Sequence, residues 1–281
     1  MVKIIADTLS CIPVEEARKL GLAYIPQIIE FDGQSYRDDT EMDSATFLQR
    51  LRTSAILPKT AAPPPALYNP YYQEYTKQGH TVLVIAPTGK MSGTVRGAEV
   101  GAKDFPEADI RVIDTSSIGS GLGVMVRSAV EWVEQGLDAN TIQSKVLEMA
   151  GRERIYFMVD TLEFLQRGGR IGKAKALMGS LLQLKPILTV NEGQTEAVEN
   201  QRTKRRAIAR IVELILEQCP KGSEGHLTLM HGDALEDVTH LAEQLKQALG
   251  ISEIPIYFVP PAILVHTGPG VLGVSFFQKA K

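Results

Sequence analysis

Cysteine is scarce in this 281-residue chain: Cys11 and Cys219 are the two, far apart in the sequence. Neither has a His or Cys at metal-ligand spacing, which excludes a zinc site. Long apolar runs are missing too. No stretch reaches the 18 or so apolar residues of a membrane span, and no basic-then-apolar leader opens the sequence. Membrane spanning and secretion are therefore not expected, and the expected location is cytoplasmic, with both cysteines as free thiols. Positive charge is not in excess: 30 Lys and Arg stand against 33 Asp and Glu, a net charge of −3. A nucleic-acid partner is not expected on that balance. Internal repeats and low-complexity tracts are lacking as well. What remains is the composition of a globular protein, 44% hydrophobic and 22% charged, long enough for one large domain or two ordinary ones.

The first half alternates strands and helices. Val2 to Ala6 reads as a buried parallel strand, followed by a helix over Val14 to Leu20 and a second strand over Leu22 to Phe31. Asp32-Gly33 reads as a hairpin turn, and Ser44 is expected to cap a helix reaching Leu51. Four prolines make Leu57 to Pro65 a stiff loop that is neither helix nor central strand. Thr81 to Ala86 and Ile110 to Ile113 are further strands. Helices are expected over Gly93–Lys103, Gly121–Gln135 and Ala139–Gly151. Such alternation predicts a mostly parallel sheet with helices on both faces.

The character changes between residues 152 and 160. Strands are expected at Ile155–Val159, His226–Met230, Ile256–Val259, Ala262–Val265 and Val274–Phe277. A hairpin is expected at Ile187–Val190 and Thr195–Val198, and helices at Ala207–Gln218 and Leu235–Leu249. The fold class read here is two α/β domains. Residues 1–155 form the first, with the parallel sheet, and residues 156–281 form the second, with a mixed sheet and flanking helices.

Chemistry-bearing positions are few. Ser92-Gly93-Thr94 follows the TVLVIA strand and opens a helix, at the sheet edge where open α/β folds bind ligands. Free amides and the helix dipole favour an anion there, although a plain serine cap is the other reading. Lys90 stands beside this loop, but the glycine spacing of a phosphate-binding P-loop is absent, since residue 84 is Val84. Gly119-Ser120-Gly121 lacks the third glycine of a dinucleotide loop, and no serine-nucleophile elbow occurs. In the run from Asp160 to Ile171, an amphipathic helix ends at Gly168-Gly169, and a second basic helix is expected before the next strand. The cations Arg167, Arg170, Lys173 and Lys175 have no carboxylate on their C-terminal side until Glu192. A solvated basic face is one reading of them.

Taken together, these segments resemble one family. Ala6-Asp7-Thr8-Leu9-Ser10-Cys11-Ile12-Pro13, Pro58-Lys59-Thr60-Ala61-Ala62-Pro63, Met91-Ser92-Gly93-Thr94, Val112-Ile113-Asp114-Thr115, the basic segment, Gln201-Arg202-Thr203-Lys204 and His266-Thr267-Gly268-Pro269-Gly270 occur in the order of the DegV motifs. The resemblance spans nearly the whole chain. It departs at Ala61-Ala62, where the family has a polar pair, and at Cys11, where an acid is common.

DegV proteins are bacterial fatty-acid-binding proteins, some of them the lipid-carrying subunit of a fatty acid kinase. The resemblance therefore implies a long-chain fatty acid held between the two domains, no cofactor and no metal. It implies a carboxylate held by Thr60, Ser92, the amides of Gly93 and Thr94, and His266. It also implies that Arg167, Arg170, Lys173 and Arg202 dock a kinase that holds ATP and Mg²⁺, and that the chain is not an enzyme by itself. Transient contact with a membrane surface belongs to the same picture. Ala174, Leu177, Met178 and Leu181 are candidate linings for the acyl chain, or simply core. An enzyme acting on a small anionic or phosphorylated substrate, with Lys90 as its clamp, is the alternative. A basic interaction module is a third reading.

Overall fold

The structure is a computed structural model that describes residues 1–54, 56–177 and 184–279. β1 (Val2–Asp7), α1 (Val14–Lys19) and β2 (Ala23–Ile25) follow the sequence alternation. The strand expected over Leu22–Phe31 is instead two strands in different sheets. Pro26 has no amide hydrogen for the ladder, and the Gln27 amide leaves it to donate to Asp38. β3 (Ile28–Phe31) and β4 (Gln34–Arg37) then form the expected hairpin, with Asp32 and Gly33 at φ of 52° and 76°. α2 (Ser44–Thr53) is capped by Asp43, not Ser44: the Asp43 carboxylate accepts from the Thr46 amide at 2.8 Å. The Ser44 hydroxyl donates to the Val259 carbonyl instead. Within the proline-rich loop, β5 (Lys59–Ala61) pairs with β3 as an edge strand, which is where flanking prolines are tolerated.

α3 (Asn69–Lys77), β6 (Thr81–Ala86), α4 (Thr94–Ala102), β7 (Ile110–Asp114), α5 (Ser120–Glu134) and α6 (Ala139–Arg152) complete the first half. The parallel sheet has the order β2-β1-β6-β7. Val82 through Ile85 in β6 are all buried, because helices cover both faces.

The second half contains β8 (Glu153–Met158), α7 (Glu163–Arg167), β9 (Lys185–Asn191), β10 (Gln194–Gln201), α8 (Lys204–Gln218), β11 (Thr228–Gly232), α9 (Leu235–Leu249), β12 (Ile256–Phe258), α10 (Pro261–Thr267) and β13 (Val271–Phe277). Its six-stranded mixed sheet runs β10-β9-β8-β13-β11-β12, with β11–β12 the parallel pair. The fold class is thus the expected one, a parallel sheet and a mixed sheet with flanking helices.

Three local expectations are corrected. Ala262–Val265 lies in α10, not in a strand. A short apolar run does not distinguish the two, and Pro261 in the first turn favours the helix. The second basic helix is a 3₁₀ turn over Gly172–Leu177, and Met178 and Leu181 lie outside the described residues. His226 takes φ of 44° and precedes the strand expected to begin there.

One buried cluster joins the halves: Leu9, Ile29, Phe31 and Phe47 pack with Ile155, Phe157, Met230, Leu264 and Val271. Ala174 is buried in it and Leu177 packs against it. Both cysteines are free and buried. Among the described residues, no helix is long and apolar enough to cross a membrane.

Candidate functional site

Beside this cluster lies a cavity of about 110 Å³. Its wall is mostly apolar, with Leu9, Ile118, Ile155, Phe157, Met230 and Ile263 among the lining side chains. Met230 of β11 sits between two glycines. A methyl group on Gly119 would meet its sulfur at 2.8 Å, and one on Gly273 would meet its Cε and Cγ at 3.0 Å. Both glycines therefore leave room for this one flexible side chain.

Polar groups enter the wall from four places in the fold. Thr60, on β5, and His266, in the last turn of α10, face each other with Oγ1 and Nε2 2.9 Å apart. Ser92 and Gly93 come from the loop between β6 and α4. Gly93 packs so closely on Ala62 that a methyl group there would meet the Ala62 Cβ at 2.9 Å. The Ala61-Ala62 departure thus brings small side chains to the seam between the two loops. Arg170 enters from the Gly-Gly segment. Its Nε donates to the Met91 carbonyl at 2.9 Å and its Nη1 to the Gly168 carbonyl at 2.6 Å.

The two glycines there do different work. Gly169 takes φ of 70°, and a methyl group on Gly168 would lie 2.1 Å from His266 Nδ1. Burial, and then the charge of Arg170, lowers the His266 pKa to about 4, so the ring is neutral at ordinary pH. Its Nδ1 is buried without a partner. A bare Nδ1 suits the nearby cation better than an N–H. That tautomer makes Nε2–H donate to Thr60 and leaves the Thr60 hydroxyl proton free for an acceptor in the cavity.

The expected site residues do not all converge. Thr60, Ser92, Gly93 and His266 line the cavity together with Arg170, whereas the Thr94 side chain points into a buried polar network. The Thr94 amide donates to Ser92 Oγ at 3.2 Å. Among the cations, Arg167 pairs with Glu163 one turn upstream at 2.7 Å, and Lys173 pairs with Glu196 of β10. Two of the four therefore have acidic partners that the sequence reading did not give them. Arg202 is exposed. On the outer side of Ser92-Gly93 a second cleft, about 400 Å³, is lined by Lys90, Arg96, Glu99 and Arg170.

Sequence reasoning gave no role to Asp7, Gln27, Met91 or Met230. Asp7 stood in a quoted motif, and the break at Pro26 was the one local signal for Gln27. Among the described residues, no group of three or more His, Cys, Asp or Glu side chains could hold a metal.

Comparison with known proteins agrees with this architecture. The profile of the family described as "Uncharacterised protein, DegV family" matches residues 1–279. A DegV domain-containing protein of Listeria monocytogenes is 30% identical over 277 residues, 98% of both chains. A DegV family protein of Thermus thermophilus, whose structure is described as showing fatty acid binding, superposes with a TM-score of 0.91 at 30% identity, over 99% of both chains. DegV of Bacillus subtilis, described as a fatty acid binding protein, superposes with a TM-score of 0.89 at 28% identity, again over 99% of both chains. With its parallel and mixed sheets, its cavity beneath the Ser92 loop and a profile match over nearly its whole length, the chain belongs to the DegV family.

Proposed function

We propose that this protein binds a long-chain fatty acid and presents its carboxyl group to a partner kinase, without catalysing a reaction alone. The observation that carries the reading is a cavity with an apolar wall into which Thr60, His266, Ser92 and Gly93 bring a small set of donors. A fatty acid needs that combination. Each buried CH₂ contributes about 0.8 kcal/mol, so a long chain gains roughly 10 kcal/mol before ordering costs. The carboxylate needs a few fixed donors rather than a paired cation. In this reading Thr60 and Ser92 donate hydroxyl protons, the amide of Gly93 adds a further donor, and His266 orients Thr60. Thr94 contributes through Ser92, which its amide supports. The Thermus and Bacillus relatives described as fatty acid binding support the ligand class.

Arg170 belongs to the wall in this proposal, where it fixes the Met91 and Gly168 carbonyls. With Lys90 and Arg96 it also faces the outer cleft, and the positive charge there suits an approaching phosphoryl group. Arg167, Lys173 and Arg202 are proposed to meet the kinase. Residues 1–155 and 156–281 are taken as the two units, with the four-stranded sheet wholly in the first and β8 crossing the boundary. The cytoplasm is the proposed location, with transient contact at membrane surfaces. Organic extraction and native mass spectrometry of the purified protein test the ligand class. A co-purifying or titrated long-chain acid at one per chain is expected. Failure to bind any long-chain acid would refute the reading.

A further inference from the structure

Beneath the Ser92 loop a closed chain of hydrogen bonds leads to a buried carboxyl group. Ser92 Oγ and Thr94 Oγ1 are 3.0 Å apart, and Thr94 Oγ1 lies 2.8 Å from Asp7 Oδ2. Gln27 Nε2 donates to both Asp7 Oδ2, at 2.7 Å, and Thr94 Oγ1, at 3.0 Å. Asp7 Oδ1 accepts from the Leu9 amide at 3.1 Å. Asp7 is 2% exposed, Thr94 1% and Gln27 3%.

Each hydroxyl has one proton and two lone pairs, so the direction of this chain can be counted. When Asp7 is ionised, it accepts the hydrogen bond of the Thr94 hydroxyl. Thr94 Oγ1 then accepts from Gln27 and from Ser92, and the Ser92 proton points inward. Ser92 is left facing the cavity with a lone pair, the wrong group for an anion. When Asp7 is protonated at Oδ2, the Ser92–Thr94 and Thr94–Asp7 bonds reverse without any heavy atom moving, while the Gln27 and Leu9 bonds keep their direction. Asp7 donates to Thr94, Thr94 donates to Ser92, and Ser92 Oγ, already accepting from the Thr94 amide, has its proton free for the cavity. Ser92, Thr94, Gln27 and Asp7 keep their partners in both states.

We propose that Asp7 is the positioning residue that decides whether Ser92 offers the ligand a proton or a lone pair, so that an anionic headgroup is bound together with one proton on Asp7. This deepens the fatty-acid reading and rests on it. Burial raises Asp7 to about 7 against the lowering effect of its Thr94, Leu9 and Gln27 hydrogen bonds, so both states are accessible near neutrality. The ionisable groups facing Asp7 are Cys11, Tyr24 and Tyr68, which burial raises so that they stay neutral, and Asp38, which burial raises to about 8. Asp38 is itself bonded to Thr8 and the Gln27 amide. The cation on this side, Arg127 of α5, is paired with Glu16. Among the described residues no cation pairs with Asp7.

The test is calorimetric titration of the full chain with dodecanoate below its aggregation threshold, from pH 5.5 to 9. It is repeated in two buffers of different ionisation enthalpy and with a dodecyl sulfonate whose charge is constant. The wild type should take up close to one proton at pH 8 and none at pH 5.5, with Kd rising about tenfold per pH unit above 7. Asp7→Asn, which has no titratable proton and turns the Gln27 amide to accept at their 2.7 Å contact, should lose the slope and the proton uptake. Thr94→Val, which removes the hydroxyl between Ser92 and Asp7, should give a flat profile without proton uptake. Asp38→Asn should keep the wild-type slope, and loss of the slope there would move the proton to Asp38 and overturn the proposal. A flat wild-type profile without proton uptake overturns it while leaving fatty-acid binding intact. No binding at any pH removes the reading beneath it, and the proposal with it. If Asp7→Asn fails to fold, proton uptake that persists in Asp38→Asn decides for Asp7.

Discussion

Replacing Thr60 by Val is the most direct probe of the carboxylate site, because it swaps a hydroxyl for a methyl group of similar size. Two losses follow from the geometry. In the proposed complex, a hydrogen bond to a charged group disappears, worth about 1.5–3 kcal/mol. That corresponds to a Kd raised about 10- to 150-fold. In the free protein, His266 Nε2 loses the partner 2.9 Å away, and Nδ1 has none to begin with. A partly buried imidazole then has no hydrogen bond on either nitrogen, which should cost about 1–3 kcal/mol of stability. Displacement of a fluorescent fatty acid measures the first loss, and urea unfolding with an unchanged m-value measures the second. The two are separable, since in the variant His266 lacks its partner in the empty protein as well as in the loaded one. A Kd within twofold of wild type, together with a lowered urea midpoint, would refute Thr60 as a ligand contact and leave it as the support of His266.

Other outcomes follow from the same structure. Met230→Ala should enlarge the cavity between Gly119 and Gly273 and shift preference toward longer or bulkier acyl chains, read by competition between acids of different length. An unchanged preference would show that the tail does not reach Met230. Glu153, half-buried with the Ser275 hydroxyl 2.7 Å from its carboxyl group, is pushed up to about 7 by desolvation. A folded-state pKa above the unfolded value of 4.5 favours folding below that value, and this contribution is lost as pH rises through 7. Glu153→Gln should therefore flatten the fall in urea stability between pH 5 and 8.5 by on the order of 3 kcal/mol. Equal slopes in the two proteins would contradict it. Arg202→Ala should keep lipid affinity but slow turnover with a cognate kinase more at low than at high ionic strength, whereas Arg170→Ala should weaken lipid binding by freeing the Met91 and Gly168 carbonyls. Equal behaviour of the two variants in both assays would count against placing only Arg170 in the wall.

The sequence by itself determined the alternation of strands and helices, the two kinds of sheet and the family, because hydrophobic period and ordered motifs are local properties of a chain. It also placed Ser92 and Gly93 at a sheet edge, since a buried strand followed by a helix start is written in consecutive residues. Where local patterns are ambiguous, only tertiary structure decided. Ile263, Leu264 and Val265 suit a strand or a helix equally, and Pro261 with the packing of α10 selected the helix that carries His266. The strand from Leu22 was broken by one missing amide at Pro26, and the freed Gln27 became the link between Asp7 and Thr94. Arg170 looked like Arg167 and Lys173 in a basic run, yet a carbonyl from the distant Ser92 loop drew it into the wall. Asp7 was visible as a residue but not as a buried acid. Its environment comes from groups 20 and 87 positions away in the chain, and burial by such distant partners, which sets its protonation, exists only once the fold has closed over it.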